Sequence, residues 1–379
     1  MTFRQTCVFL LGSLLPGLML ALVATSFMRW LSPRVGLIDQ PNVRKVHTSP
    51  IPLGGGVGIW MGVIGTFLLG QLALVLLQQN EELSKLIPEF ALPHLAGIQA
   101  QLPKLWILLA AGTLLMLLGL ADDRWGLSWQ LRMAAQFGIA AACVYFVPNL
   151  RLTAFIEQPW FTGLLSVLWI VALINSFNML DNMDGLSAGI ATIAAGFLAT
   201  VMIVAPDPET RGPQFFVAGF LLVLAGSLVG FLFHNRPPAK IFMGDAGSYF
   251  VGFNIAVATL LASYTGYHSA TRHAILAPLL VMAVPLYDLV SVLAIRVRAG
   301  KSIFSADKNH FSHRLVELGL TKPQAVLTVY LTTATCGLAA VLLHRVDTLG
   351  AVILMLIVGC ILSLIAILET SARRKINQP

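Results

Sequence analysis

Five polar side chains stand within ten residues of this sequence, between long apolar runs: Asn175, Asn178, Asp181, Asn182 and Asp184. Carboxylates and amides at the edge of a hydrocarbon slab are costly to keep, so such a cluster marks a functional site. The spacing 175, 178, 181, 184 drifts slowly round one broad helical face, which lets the groups line one cleft. A helix end capped by Asn and Asp, with a turn at Gly185, accounts for any one of them but poorly for all together.

Four further clusters carry the same kinds of group. Asp122 and Asp123 end the apolar run Leu118-Gly-Leu-Ala. Two adjacent acids at a helix C-terminus oppose the helix dipole, which hints at a cation or a proton acceptor. Asp245 sits between Gly244 and Gly247 at the start of another apolar run, where a carboxylate reaches a hard cation and helix amides meet phosphate. In the loop 39–56, Arg44, Lys45 and His47 offer cationic donors and Gly54-Gly-Gly56 allows close backbone approach. Asp307-Lys-Asn-His-Phe-Ser-His-Arg places His310, His313 and Arg314 together, a set suited to a pyrophosphate. Oxygen donors with few cysteines favour magnesium or manganese over zinc.

The elements that must position these groups are membrane helices. The 379-residue chain is 57% hydrophobic and 11% charged, against about 25% charged residues in soluble domains. Such a chain cannot cover a water-facing surface. Apolar runs lie at roughly 7–28, 55–77, 104–121, 130–147, 160–177, 186–205, 214–233, 246–263, 273–295, 325–343 and 349–368, about eleven helices by the length criterion. The expectation is an all-α polytopic integral membrane protein, one bundle in a single domain over 1–379. The first run is long for a signal peptide and reads as a retained helix. Cys7, Cys143, Cys336 and Cys360 fall in apolar runs and suggest neither a disulfide framework nor a zinc site.

Most of the 24 Lys and Arg residues lie in or beside one set of alternate loops and the C-terminal tail. The positive-inside rule makes that set cytoplasmic, the N-terminus external and the C-terminus cytoplasmic. All five polar clusters then share the cytoplasmic face. Acids for a metal, cations for phosphate and an apolar surround point to phosphoryl transfer onto a lipid. No Gly-x-x-x-x-Gly-Lys-Ser/Thr loop is present, so ATP is not the expected donor. Nothing resembles a nucleic-acid-binding fold.

Taken in order, the clusters resemble the polyprenyl-phosphate N-acetylhexosamine-1-phosphate transferase family (the MraY/WecA/TagO group, glycosyltransferase family 4). The likeness runs from about Asp39 to Val326, which leaves the last two helices and the basic tail, about 325–379, outside it. Asp39-x-Pro-Asn-x-Arg-Lys-x-His, Asp122-Asp123 with Leu-Ser and Arg132, Asn175-x-x-Asn-x-x-Asp-x-x-Asp-Gly-Leu, Met243-Gly-Asp-x-Gly-Ser and Asp307-x-x-His-x-x-His-Arg-Leu are similar to its motifs. The resemblance implies transfer of a sugar 1-phosphate from a UDP-sugar to undecaprenyl phosphate with release of UMP, on the cytoplasmic face of a bacterial inner membrane, to start an envelope glycan. It implies Asn178 and Asp245 as ligands of Mg2+ (or Mn2+), and Asp122 or Asp123 as proton acceptor or metal support. Asp181 and Asp184, with Asn175, would orient the nucleotide or support the metal shell. His310, His313 and Arg314 would hold the diphosphate, and Arg44, Lys45 and His47 a phosphate or lipid head group.

Two positions depart from the family pattern: Ser312 replaces the first of two adjacent histidines, and Asn182 stands where glycine is usual. Arg-Trp-Gly-Leu-Ser after the aspartate pair and the lack of His-His-His-x-Glu look more like the GlcNAc-1-phosphate branch (WecA/TagO) than the muramoyl-pentapeptide branch. A cation-coupled transporter is the reading from another class. It should place its charges near the bilayer midplane, often with internal repeats. Spans rich in small residues are compatible with a homodimer.

Overall fold

The computed structural model describes residues 2–41, 49–80, 87, 92, 95–152, 156, 158–205, 207, 212–264, 272–304 and 309–376, with side chains as far as 369. The chain is helical almost throughout. Its helices are α1 (Phe3–Leu31), α2 (Gly55–Gln79), α3 (Leu95–Trp125), α4 (Trp129–Phe146), α5 (Pro159–Leu180), α6 (Leu186–Val204) and α7 (Phe215–Asn235). They continue with α8 (Gly244–Leu261), α9 (Ala277–Val281), α10 (Ala283–Arg298), α11 (Phe311–Glu317), α12 (Lys322–Leu342) and α13 (Thr348–Ile376). The protein is an all-α, multi-pass membrane protein.

Every expected apolar run coincides with a helix or, at 272–298, with a pair bent by 64°. Among the described residues eight helices are long and apolar enough to cross a membrane, or nine if the bent pair is one span. The difference from the expected eleven lies in α4 and α8, which carry polar residues. Each has 18 residues, roughly 27 Å at 1.5 Å per residue. Helix α8 can be polar at its start because it never meets lipid: Ala246 to Leu260 are all buried. It is the central post, packed on α3 and α5. Exposed aromatics fall at both ends of the bundle. Trp30, Trp125 and Trp129 lie at one end, and Tyr145, Phe146 and Trp160 at the other, as in interfacial belts.

Short connections bring the motifs to the first of these ends. Ser128 accepts a hydrogen bond from the Leu131 amide and caps α4. Ile38–Asp39 and Ile51–Pro52 pair antiparallel, with Ile38 opposite Pro52. This ribbon is tied to the segment before α8 by Phe242 N–H to Pro52 O, Gly55 N–H to Phe242 O and Gly56 N–H to Met243 O, all 2.9–3.0 Å. The glycine run of the first motif thus holds the fourth. Arg44, Lys45 and His47 lie outside the described residues, as does Asp307.

Candidate active site

Helix α8 begins at Gly244, whose φ of 70° is a value that favours glycine. That turn aims the first amides of α8 at carboxylates from two other helices. Asp123, on the last turn of α3, accepts the Asp245 amide at 2.9 Å and the Ala246 amide at 3.2 Å, one on each oxygen. Asp181, which closes α5, lies near the Gly244 amide. The helix therefore starts inside acids that satisfy its orphan amides and complement its dipole.

Asp245 is held between α5 and α4. Its Oδ1 accepts Asn178 Nδ2 at 2.6 Å, and its Oδ2 lies 3.7 Å from Arg132 Nη1. Asn178 also donates to Ser248 Oγ at 3.0 Å, so its Oδ1 is the atom left for a ligand. Asp122 joins three elements: Oδ1 accepts the Leu127 amide at 2.7 Å, and Oδ2 accepts Arg132 Nη1 at 2.7 Å and the Tyr249 hydroxyl at 3.2 Å. Burial, and then the nearby Asp123, push the Asp181 carboxyl up to about 7.

Of these groups Asn178, Asp181, Arg132 and Tyr249 line a cavity of about 770 Å³, whereas Asp122, Asp123 and Asp245 stand behind its wall. Arg132, Gln136, Asn175, Asn178, Asp181, Asn182, Tyr249, Arg296 and His310 supply its polar wall. Met133, Phe137, Leu168, Val171, Leu289 and Leu293 supply an apolar one. Trp129 and Phe304 also border it and stack with centroids 3.9 Å apart. Asn175 reaches it while donating to Gln136 Oε1 at 2.6 Å and Val171 O at 2.8 Å.

The placements differ in part from the sequence expectations. Asp184 is absent from the cavity wall; its Oδ2 accepts the Ala239 amide at 2.9 Å and ties the α5–α6 turn to the loop before α8. His310 does line the cavity, whereas the half-buried His313 does not, its ring centroid lying 6.3 Å from that of His310. Arg314 is turned away and buried at 3% exposure, with Nε 2.9 Å from Glu369 Oε2. His310 caps the start of the short helix α11 at the cavity, while His313 and Arg314, within the helix, are directed elsewhere. Arg132 and Arg296 are the guanidinium groups on the cavity wall. The two departures from the family pattern meet: Ser312 Oγ donates to Asn182 Oδ1 at 2.6 Å.

Sequence reasoning missed Asp288. It is fully buried in α10; Oδ2 lies 3.0 Å from His310 Nδ1, and Oδ1 accepts the Phe311 amide at 2.5 Å. A lone acid within an apolar run was the available signal. With Nδ1 held, Nε2 is the ring nitrogen left for a ligand. Asp288→Ala is expected to lower turnover by about 10–100-fold, the usual loss when the support of a site imidazole is removed. Steady-state turnover in membranes, normalised to protein level, checks this; unchanged turnover would remove Asp288 from the site.

A hard divalent cation fits this donor set. Among the described residues no three Asp, Glu, His or Cys side chains form a ready-made metal cluster. Magnesium needs none, since it keeps several waters and binds through one or two carboxylates plus substrate phosphates. Arg132 Nη1 faces both Asp122 Oδ2 at 2.7 Å and Asp245 Oδ2 at 3.7 Å, so one positive charge already stands beside the two carboxylates.

The description "Glycosyl transferase family 4" matches residues 105–263, which hold the second, third and fourth motifs. A probable undecaprenyl-phosphate N-acetylglucosaminyl 1-phosphate transferase of Bacillus subtilis is 31% identical over 86% of this chain and 83% of its own length. A decaprenyl-phosphate N-acetylglucosaminephosphotransferase of Mycobacterium tuberculosis is 31% identical over 97% and 92%. An undecaprenyl-phosphate alpha-N-acetylglucosaminyl 1-phosphate transferase of Escherichia coli K12 is 29% identical over 83% and 79%.

Proposed function

The chain belongs to glycosyl transferase family 4, and from that membership we propose that it transfers N-acetylglucosamine 1-phosphate from UDP-GlcNAc to undecaprenyl phosphate, releasing UMP. The observation that carries the reading is the meeting of Asp122, Asp123 and Asp245 with Asn178 and Asp181, the last two of which line a half-apolar cavity. The polar wall suits a nucleoside diphosphate sugar, and the apolar wall suits a prenyl chain beside its phosphate. The relatives' names share the N-acetylglucosaminyl group and the prenyl phosphate. The acids sit at helix ends instead of mid-span, which disfavours a transporter. The basic loops support an inner-membrane protein whose site faces the cytoplasm, where it would start an envelope glycan.

In this reading an oxygen of the lipid phosphate attacks the β-phosphorus of the UDP-sugar, and UMP is the leaving group. Direct attack needs no enzyme nucleophile. Asn178 and Asp245 would hold Mg2+ or Mn2+, with Asp181 in support. The bound ion would neutralise the diphosphate, as phosphoryl transfer requires. Arg132, Arg296 and His310 supply positive charge along the same wall. Asp123 holds the start of α8, and with it Asp245, in place. Asp122 fixes Arg132 and Tyr249.

The test uses membranes containing the chain, undecaprenyl phosphate and a panel of labelled UDP-sugars, with added magnesium or with EDTA. Label transfer from UDP-GlcNAc with matching UMP release, lost in EDTA and restored by magnesium, is expected. Transfer from UDP-MurNAc-pentapeptide alone would move the protein to the peptidoglycan branch. No transfer from any donor, beside a control transferase that works, would end the enzyme reading.

A further inference from the structure

The last helix, α13, presents Leu349, Ile353, Leu356, Leu364 and Ile367 outward. It packs mainly against α11 and α12. Near its end it nevertheless buries a carboxylate: Glu369 is 6% exposed. Glu369 Oε2 accepts the Tyr287 hydroxyl at 3.0 Å and lies 2.9 Å from Arg314 Nε, as an ion pair instead of an aligned hydrogen bond. Oε1 of Glu369 has no hydrogen-bond partner among the described residues. Arg314 extends the connection inward. Its Nη1 donates to Asn309 O and its Nη2 to Ser291 Oγ, both at 2.8 Å. Asn309 is the residue before His310, which lines the cavity. A continuous path of polar contacts therefore runs from the last helix to the peptide that carries a cavity histidine.

Burying both members of an ion pair carries a large desolvation cost, and apolar side chains of similar volume stabilise a core at least as well. The best-attested use of such a pair is to fix register. An apolar helix face slides easily along lipid and neighbouring helices. A slip of one turn, about 5.4 Å, would strand both charges.

We propose that Glu369 is a positioning residue: through Arg314 it fixes the segment Asn309–His310 at the cavity, making the last helix part of the active-site support. This role rests on the transferase reading above and reaches outside the family-matched segment 105–263.

The test pairs Glu369→Gln with the double variant Arg314→Met/Glu369→Met, which removes both charges together and so avoids leaving one buried alone. Both are assayed in membranes beside wild type and His310→Ala. For each charge variant, kcat is expected to fall about 10–100-fold, with KM for undecaprenyl phosphate within about twofold, while the double variant's Tm in detergent stays at or above wild type. Combined with His310→Ala, Glu369→Gln should cause no further loss, because both act through one side chain. Carbethoxylation of His310, followed by mass spectrometry, should be faster in the variants. Wild-type kcat in the double variant, or losses that multiply with His310→Ala, would overturn the proposal. Absence of transfer in wild type would instead overturn the transferase reading. The carbethoxylation result needs no activity: an unchanged rate at His310 in the double variant counts against the positioning role by itself.

Discussion

Asp245→Asn is expected to lower sugar-phosphate transfer by about 10³-fold, equivalent to about 4 kcal/mol of transition-state stabilisation, with little change in yield or melting temperature. The substitution keeps size and shape. It removes a negative charge whose Oδ1 faces Asn178 and whose Oδ2 faces Arg132. Fold changes should be small, because α8 is held at its start by backbone amides given to Asp123, not by the Asp245 side chain. Loss should appear in kcat at saturating UDP-GlcNAc, and excess magnesium should not restore it. Binding of Mn2+ to purified protein, followed by electron paramagnetic resonance, should weaken in parallel. Turnover within tenfold of wild type would remove Asp245 from the centre of the chemistry.

Gly119→Val is expected to be nearly as damaging for a different reason. Gly119 lies on α3 where that helix touches the α8 backbone; an added Cβ would overlap the Asp245 carbonyl group and the Ala246 nitrogen. Neither neighbour is a flexible side-chain tip, so the helices must part. Overpacking of this kind costs about 1–3 kcal/mol, and displacement of reacting groups by about 1 Å costs about 10²-fold in rate. Asp123 would lose its grip on the amides of α8 as Asp245 shifts. Gly138→Ala on α4, where an added Cβ meets nothing within 4 Å, is the control and should behave as wild type. Turnover and detergent melting curves for both variants check the contrast. A Gly119→Val enzyme with normal kcat would mean that α3 and α8 are not in backbone contact.

Much of this architecture could be read along the chain. Composition and runs of apolar residues require membrane helices, because burial of hydrocarbon in lipid depends on local sequence alone. The third motif was legible for the same reason: Asn175, Asn178 and Asp181 lie within two turns of one helix, so their spacing already places them on a common face. The gathering of motifs at one end follows from strict alternation of loops between two sides.

What local pattern could not reveal is which partner each polar group would choose once remote helices packed. Asp122 or Asp123 read as a proton acceptor or metal support, and nothing in the pattern showed that both oxygens of Asp123 would take amides at the start of a helix more than a hundred residues away. Asp184 looked like a nucleotide contact and instead ties two loops. Arg314 lies on the short helix α11 and His310 stands just before it, but an acid on α13 takes the arginine and an acid on α10 holds the histidine at the cavity. Arg296, read only as one of the basic residues of a cytoplasmic loop, and Asp288, unremarked in an apolar stretch, became a cavity cation and that histidine's support. Spacing sets the faces of a helix, whereas the neighbour that buries each face comes from elsewhere in the chain and decides whether a charge meets substrate, a backbone amide or its opposite.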